Sequence, residues 1–383
     1  MAAVLGKSRG IAGAATGAHN GSTVLSVRRA SSADAPALTR LAGACPMEGL
    51  LTLAAVPGPR AAAWERFAGP RAIWVVEEAG AIVGSASLAQ RFTRLDRRLT
   101  RWGYFGEARV LPSARRRGVA LMLARAGIAV ERETQSRFTA LATLGGNRAM
   151  EAFLRRCRDI PRVVPLARMR LIQWFALGVP AGRSQVSTRP ARPGDLPDMH
   201  RLLTRFWDER ALGSAEDLDG FATQWTIDES LSLEHAVVAE RGGSLVGCGA
   251  LWDRRPLRRE VVLRYRFPLS VVARGIRWYA SRRDAPLLPE TGQPLPLAAI
   301  RYFAATDVAA GIAVRDALLT AARERELLIV MLGLDSRDPL AEVARGRMRV
   351  SIPATLWVGQ AALEMPDLTP LLGRPAYVDF SLV

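Results

Sequence analysis

The chain has 383 residues, 49% of them hydrophobic, with 53 basic against 36 acidic residues and a formal net charge of +17. That length suggests two domains with ordinary buried cores, and no apolar run approaches the ~18 residues of a membrane-spanning helix. Only Lys7 among the basic residues is a lysine; the rest are arginines in an alanine-rich chain, the mark of a compositional bias. The charge favours anionic ligands, but without the basic-aromatic stripe of a nucleic-acid module it predicts no nucleic-acid partner.

In chain order, residues 1–23 are rich in Ala, Gly and Ser and read as a disordered leader. A strand is expected over 24–29, then a capping Asp34 and helices from 34 to about 67. Within that stretch Cys45 has no identifiable base partner. A hairpin follows over 72–91, with a Gly-containing turn between apolar strands. Next come a strand over 101–110, a helix over 118–135, a strand over 138–144, a helix over 147–157 and a strand near 163–175. On the 101–110 strand, alternation puts Phe105, Glu107 and Arg109 on one face and Tyr104, Gly106, Ala108 and Val110 on the other. In the following helix Gly127 is unexplained; a mid-helix glycine costs about 1 kcal/mol relative to alanine.

The chain then repeats itself. Ser26–Leu38 matches Ser187–Met199 at an offset of 161 (Arg28 with Arg189, Asp34 with Asp195, Pro36 with Pro197), and Val75–Gly84 matches Val238–Gly247. A weaker match sets Tyr104-Phe105 against Tyr302-Phe303. The reading is a first domain over 24–177, a linker over 178–187, and a second copy over 188–383 with an insertion at about 254–296. That insertion mixes aromatic residues and arginines and reads as a lid or inter-domain segment.

The most telling stretch is Tyr104–Leu123, a strand, a turn at Pro112-Ser113, the run Arg115-Arg116-Arg117, and then Gly118-Val119-Ala120 opening a helix. A glycine there turns successive N–H groups to one side, and the helix dipole adds positive potential, so the turn is an anion cradle. Arg115-x-x-Gly118-x-Ala120 resembles the acetyl-CoA-binding motif of the GNAT superfamily of N-acyltransferases. The order of elements in both halves is similar to that superfamily. The resemblance implies an α/β (α+β) protein of two tandem GNAT-like domains, each a mixed, mostly antiparallel sheet flanked by helices.

It implies that Val110, Arg115, Arg116, Arg117, Gly118, Val119, Ala120 and Asn147 bind acetyl-CoA, with pantetheine between the splayed strands 104–110 and 138–144. Asn147 also reads as a helix N-cap. It implies that Glu107 is the base that deprotonates an attacking amine; a carboxylate paired with Arg101, Arg109 or Arg115 fits the residue equally well. The superfamily's usual tyrosine acid is replaced by Phe153-Leu154, leaving Tyr104 as the nearest alternative hydroxyl. The resemblance also implies that the stretch from Cys45 to Trp64 forms the acceptor pocket, with Met47, Glu48 and Trp64 as candidates to line it. In the second copy Thr306–Ala313 lacks the arginine loop, so that copy is expected to be degenerate, supporting structure or completing the acceptor cleft.

Three scattered cysteines and three histidines make neither a disulfide framework nor a metal site, and a cytoplasmic location is the default. The expected function is an acetyl-CoA-dependent N-acetyltransferase acting on a small-molecule or peptide amine. The alternatives are an inactive GNAT-fold protein that binds CoA or a partner, and a charge-driven binder of nucleic acid or membrane.

Overall fold

The computed structural model describes residues 24–49, 51–177, 186–267, 288–360 and 368–382, with 270, 271 and 275. The expected leader, most of the linker and the centre of the insertion lie outside the described residues.

The first half runs β1 (Leu25–Arg29), α1 (Ala35–Ala44), β2 (Leu51–Pro57), α2 (Trp64–Ala68), β3 (Arg71–Glu78), β4 (Ala81–Leu95), β5 (Arg98–Val110), α3 (Val119–Glu133), β6 (Phe138–Leu144), α4 (Arg148–Arg156) and β7 (Val163–Phe175). One expectation fails: the stretch 34–67 is not all helical, because β2 separates α1 from α2. Its partner is β11 (Arg258–Tyr265), in register from Leu51↔Tyr265 to Pro57↔Arg258. A strand whose partner lies two hundred residues away carries no local signal.

The second half adds β8 (Ser187–Pro190), α5 (Leu196–Asp208), α6 (Leu218–Gln224), β9 (Ala236–Arg241), β10 (Ser244–Asp253), β12 (Leu297–Ala305), α7 (Val308–Glu324), β13 (Ile329–Asp335) and β14 (Arg349–Gln360). The repeat holds in atomic detail. Arg28 grips Asp34 through two 2.8 Å bonds, and Asp34 in turn accepts the backbone N–H of Ser31 at 2.7 Å. Arg189 grips Asp195 at 2.7 and 2.9 Å, and Asp195 accepts the N–H of Arg192 at 2.7 Å. Each arginine also reaches a carboxylate on the following hairpin, Glu77 or Glu240.

The two halves form one continuous sheet in the order β1-β3-β4-β5-β6-β14-β7-β13-β12-β10-β9-β8. It is mixed and mostly antiparallel, as expected; β5·β6 and β12·β13 are its parallel pairs. The halves exchange strands at its centre. β14 lies antiparallel between β6 and β7, pairing Ala354↔Leu144 through Gln360↔Phe138 on one side and Arg349↔Trp174 through Gly359↔Val163 on the other. β7 then pairs with β13, from Ile329↔Phe175 to Asp335↔Met169. Trp174 and Trp357 are buried at this seam.

Candidate functional site

The weak third match of the repeat is shifted. In β5 the residues between Gly106, opposite Ser87, and Arg109, opposite Ser85, form a bulge: Glu107 and Ala108 face one residue of β4. In β12 the residues between Arg301, opposite Ala250, and Ala304, opposite Cys248, do the same. The first bulge residue has positive φ in both, Glu107 at 53° and Tyr302 at 55°. Glu107 therefore corresponds to Tyr302, and Tyr104 does not. The extra residue also breaks the strand alternation. Phe105, Ala108 and Val110 point to one side of the sheet, and Tyr104, Gly106 and Glu107 to the other.

On the first side is an open groove with about 760 Å³ of empty space, floored by β5 and β6 and walled by α3 and α4. β5 and β6 pair only at Gly103↔Thr139 and Tyr104↔Ala140 and then diverge. The lining is apolar and includes Val110, Ala120, Leu123, Met150 and Phe153. Gly127 finds its reason here. A Cβ at this position would lie 3.0 Å from Trp74 and 3.2 Å from Phe105, so the glycine lets α3 close onto β5. At the vertex where the strands part sits Glu131, 1% exposed and hydrogen-bonded to the Thr139 hydroxyl; burial pushes its pKa up to about 8.

The groove opens beside the N-terminus of α3. Gly118 is its N-cap, at φ 84°, and a Cβ there would meet nothing within 4 Å. No side chain caps this helix, so its first N–H groups lack partners within it. Arg116 is also left-handed, at φ 63°. Alternation of this kind turns backbone N–H groups toward one point, an anion-binding nest. Arg115 is exposed beside the Val110 carbonyl, and Arg117 is exposed and ion-paired with Glu78. Val119 is core, packed against Gly84, so its backbone alone is available. Asn147 caps α4, accepting the N–H of Met150 at 3.2 Å.

On the other side of β5 is a smaller pocket with about 340 Å³ of empty space. Trp64, Arg71, Arg91, Tyr104 and Glu107 line it, with Leu382 of the second half. Of the three candidate lining residues Trp64 is in this pocket, whereas Met47 and Glu48 are not in its lining; Glu48 pairs with Arg266 at 2.9 Å. Glu107 is paired, but not with Arg101, Arg109 or Arg115. It takes Arg71 at 2.7 Å and Arg258, from β11, at 3.3 Å. Burial pushes its carboxyl upward, but Arg258, Arg71 and Arg109 outweigh that and hold it below the usual glutamate value. Tyr104 is buried, which raises its pKa and keeps the phenol protonated. Cys45 lies 3.4 Å from the Val110 carbonyl, and burial raises its thiol pKa, the opposite of an activated nucleophile. Among the described residues there is no metal-binding group of His, Cys, Asp or Glu and no helix long and apolar enough to cross a membrane.

The second half has lost both parts of the groove. Its loop is shorter: Gly118 follows Glu107 by eleven positions, whereas Asp307, the N-cap of α7, follows Tyr302 by five. The helix therefore starts at Asp307 and not near Gly311, which lies inside α7. The Asp307 carboxylate accepts the N–H of Ala310 at 2.9 Å and pairs with Arg241, filling the place an anion would take. β12 and β13 also diverge after three pairs, but the segment Tyr377–Ser381 occupies the gap. Phe380 presses on Gly333, where a Cβ would lie 2.0 Å from its ring.

No curated protein matches the sequence. Residues 45–158 match the family described as Acetyltransferase (GNAT) family. Among solved structures, the fold is similar to a GCN5-related N-acetyltransferase from Sphaerobacter thermophilus, at TM-score 0.56 and 14% identity, covering 93% of this chain and 98% of that one. It is similar to a tandem GNAT protein from the clavulanic acid biosynthesis pathway, at TM-score 0.55 and 13% identity, covering 89% and 100%. It is also similar to a fungal multi-domain GH3 β-N-acetylglucosaminidase with a GCN5-related glucosamine N-acetyltransferase region, at TM-score 0.57 and 12% identity, covering 88% of this chain but only 38% of that one. At these identities the structures speak for the fold. The chain thus carries a domain of the acetyltransferase (GNAT) family in its first half, inside a fold shared with tandem GNAT proteins.

Proposed function

We propose that the first half transfers an acetyl group from acetyl-CoA to an amine by direct attack, and that the second half completes the acceptor pocket without binding CoA. One observation carries this reading: a single bulge separates the two chambers. Behind it lies the open apolar groove, which starts at an uncapped helix N-terminus; in front of it lies a pocket holding a carboxylate. Pyrophosphate would meet the N–H groups of Gly118, Val119 and Ala120 and the guanidiniums of Arg115, Arg116 and Arg117. Pantetheine would follow Val110 into the gap between β5 and β6, with Asn147 at the groove's flank. The bulge leaves backbone N–H groups of β5 free of the ladder, where an oxyanion can form.

Glu107 would hold the attacking amine and take its proton. Its pKa is held low, so it accepts that proton transiently and passes it on through water. A second reading, a CoA-binding protein without turnover, draws on Phe153, which stands in the groove where the superfamily's acid would be. Calorimetry with acetyl-CoA and a CoA-release assay across an amine library test both readings. Binding with turnover supports the transferase, binding without turnover toward any amine supports the second reading, and failure to bind acetyl-CoA removes both.

A further inference from the structure

The pocket in front of the bulge is over-supplied with positive charge. Arg71 and Arg91 line it together with Glu107, which pairs with Arg71 and with Arg258 of β11. Arg91 has no carboxylate within ion-pair distance among the described residues. One of its terminal nitrogens donates to the backbone carbonyls of Ala68 and Gln90. Asp379, the acid whose charge acts on it, is drawn to Arg301 at 3.8 Å. The Nε of Arg71 is buried without a hydrogen-bond acceptor, and that of Arg258 has Glu260 at 3.7 Å. Burial, opposed by Asp379 and reinforced by Arg301, lowers the Arg91 pKa to about 10, so it is still a cation at neutral pH.

With Arg71 paired to Glu107, Arg91 is the positive charge in the pocket lining that no carboxylate offsets. A buried, unpaired guanidinium is costly unless a ligand supplies the counter-charge. The geometry points to an acceptor that is a small amine bearing a carboxylate, an amino acid or a close relative, whose carboxylate pairs with Arg91 while its amine faces Glu107. A planar carboxylate suits the fork of a guanidinium, and a phosphate dianion would be set against Glu107. This inference rests on the acetyl-transfer reading above.

The test is a CoA-release assay with the twenty standard amino acids, each as free acid and as its carboxamide, on the full chain. At least one free acid is expected to exceed its amide by about ten-fold or more in kcat/KM. That ratio should collapse toward one in Arg91→Gln and be partly kept in Arg91→Lys, with acetyl-CoA affinity by calorimetry unchanged in both. Arg91→Lys keeps the charge should Arg91→Gln fold poorly. Amides used as well as acids, or a ratio that survives Arg91→Gln, would overturn the inference. Turnover of amines from neither series, with acetyl-CoA still bound, would overturn it too while leaving the CoA site standing. Absence of acetyl-CoA binding would instead sink the reading beneath it.

Discussion

Two glutamates, 24 positions apart, the first half-buried and the second buried, sit on opposite sides of the groove floor and titrate in opposite directions. Glu107 is held below its ordinary value by Arg258 and Arg71. It therefore stays ionised through neutral pH, and its contribution to stability is present above the unfolded value of 4.5 and lost as pH falls below it. In Glu107→Gln, turnover should fall by about 10²–10⁴-fold if it accepts the proton, with a smaller change in KM for acetyl-CoA. The stability cost should be modest, about 1 kcal/mol, because the pair is partly open to solvent. Unchanged kcat with a lowered melting temperature would make it an ion-pair residue alone.

Glu131 is the reverse case. Burial raises its pKa to about 8, with the Thr139 bond pulling the other way. The folded protein keeps a proton there that the unfolded chain has already released. Between 4.5 and about 8, stability therefore falls as pH rises, by at most about 1.4 kcal/mol per pH unit. Glu131→Gln removes this titration. The variant's melting temperature should nearly match the parent's near about pH 5 and exceed it increasingly toward about pH 8.5. A gap that stays constant with pH would mean Glu131 is not protonated in the fold.

At the scale of elements, the contrast between the two helix starts decides which half can hold an anion. α3 begins with a bare glycine, and α7 with an aspartate that satisfies the helix's own N–H and repels a phosphate. Gly118→Asp makes the first start imitate the second. A Cβ at this position meets no protein atom within 4 Å, so the main cost is backbone strain of about 1–2 kcal/mol at this positive φ. Acetyl-CoA binding by calorimetry should be lost while the circular dichroism spectrum is kept. Normal binding by a folded variant would place the pyrophosphate elsewhere.

Taken as a whole molecule, the exchange of β14 and β7 means that neither half contains its own finished sheet. Without β14, β6 and β7 are not neighbours, and each would expose an unpaired edge. The full chain should therefore unfold in one calorimetric transition, and residues 24–177 expressed alone should be insoluble or unfolded, regaining structure only with the second half. Two resolved transitions, or a stable isolated first half, would contradict this coupling. Acetyl-CoA should bind once per chain, since Asp307 and the Phe380 segment fill the corresponding places in the second half. A stoichiometry near two would refute that.

Local chemistry was readable from the sequence by itself. Arg28–Asp34 and Arg189–Asp195 announced the repeat because a strand, a capping aspartate and a helix lie within a dozen residues. Arg115–Ala120 announced the start of α3 at a left-handed glycine because a helix start is built from consecutive residues. Tertiary structure alone decided everything that depends on pairing. It placed β2, whose partner is β11, and the exchange of β14 and β7. It set the bulge, which turned Glu107 from the face of Phe105 to that of Tyr104. It also chose the partners of Glu107, Arg71 and Arg258, one 36 and the other 151 positions away. Strand pairing and burial bring together residues with no fixed separation along the chain, so periodicity and spacing carry no record of them.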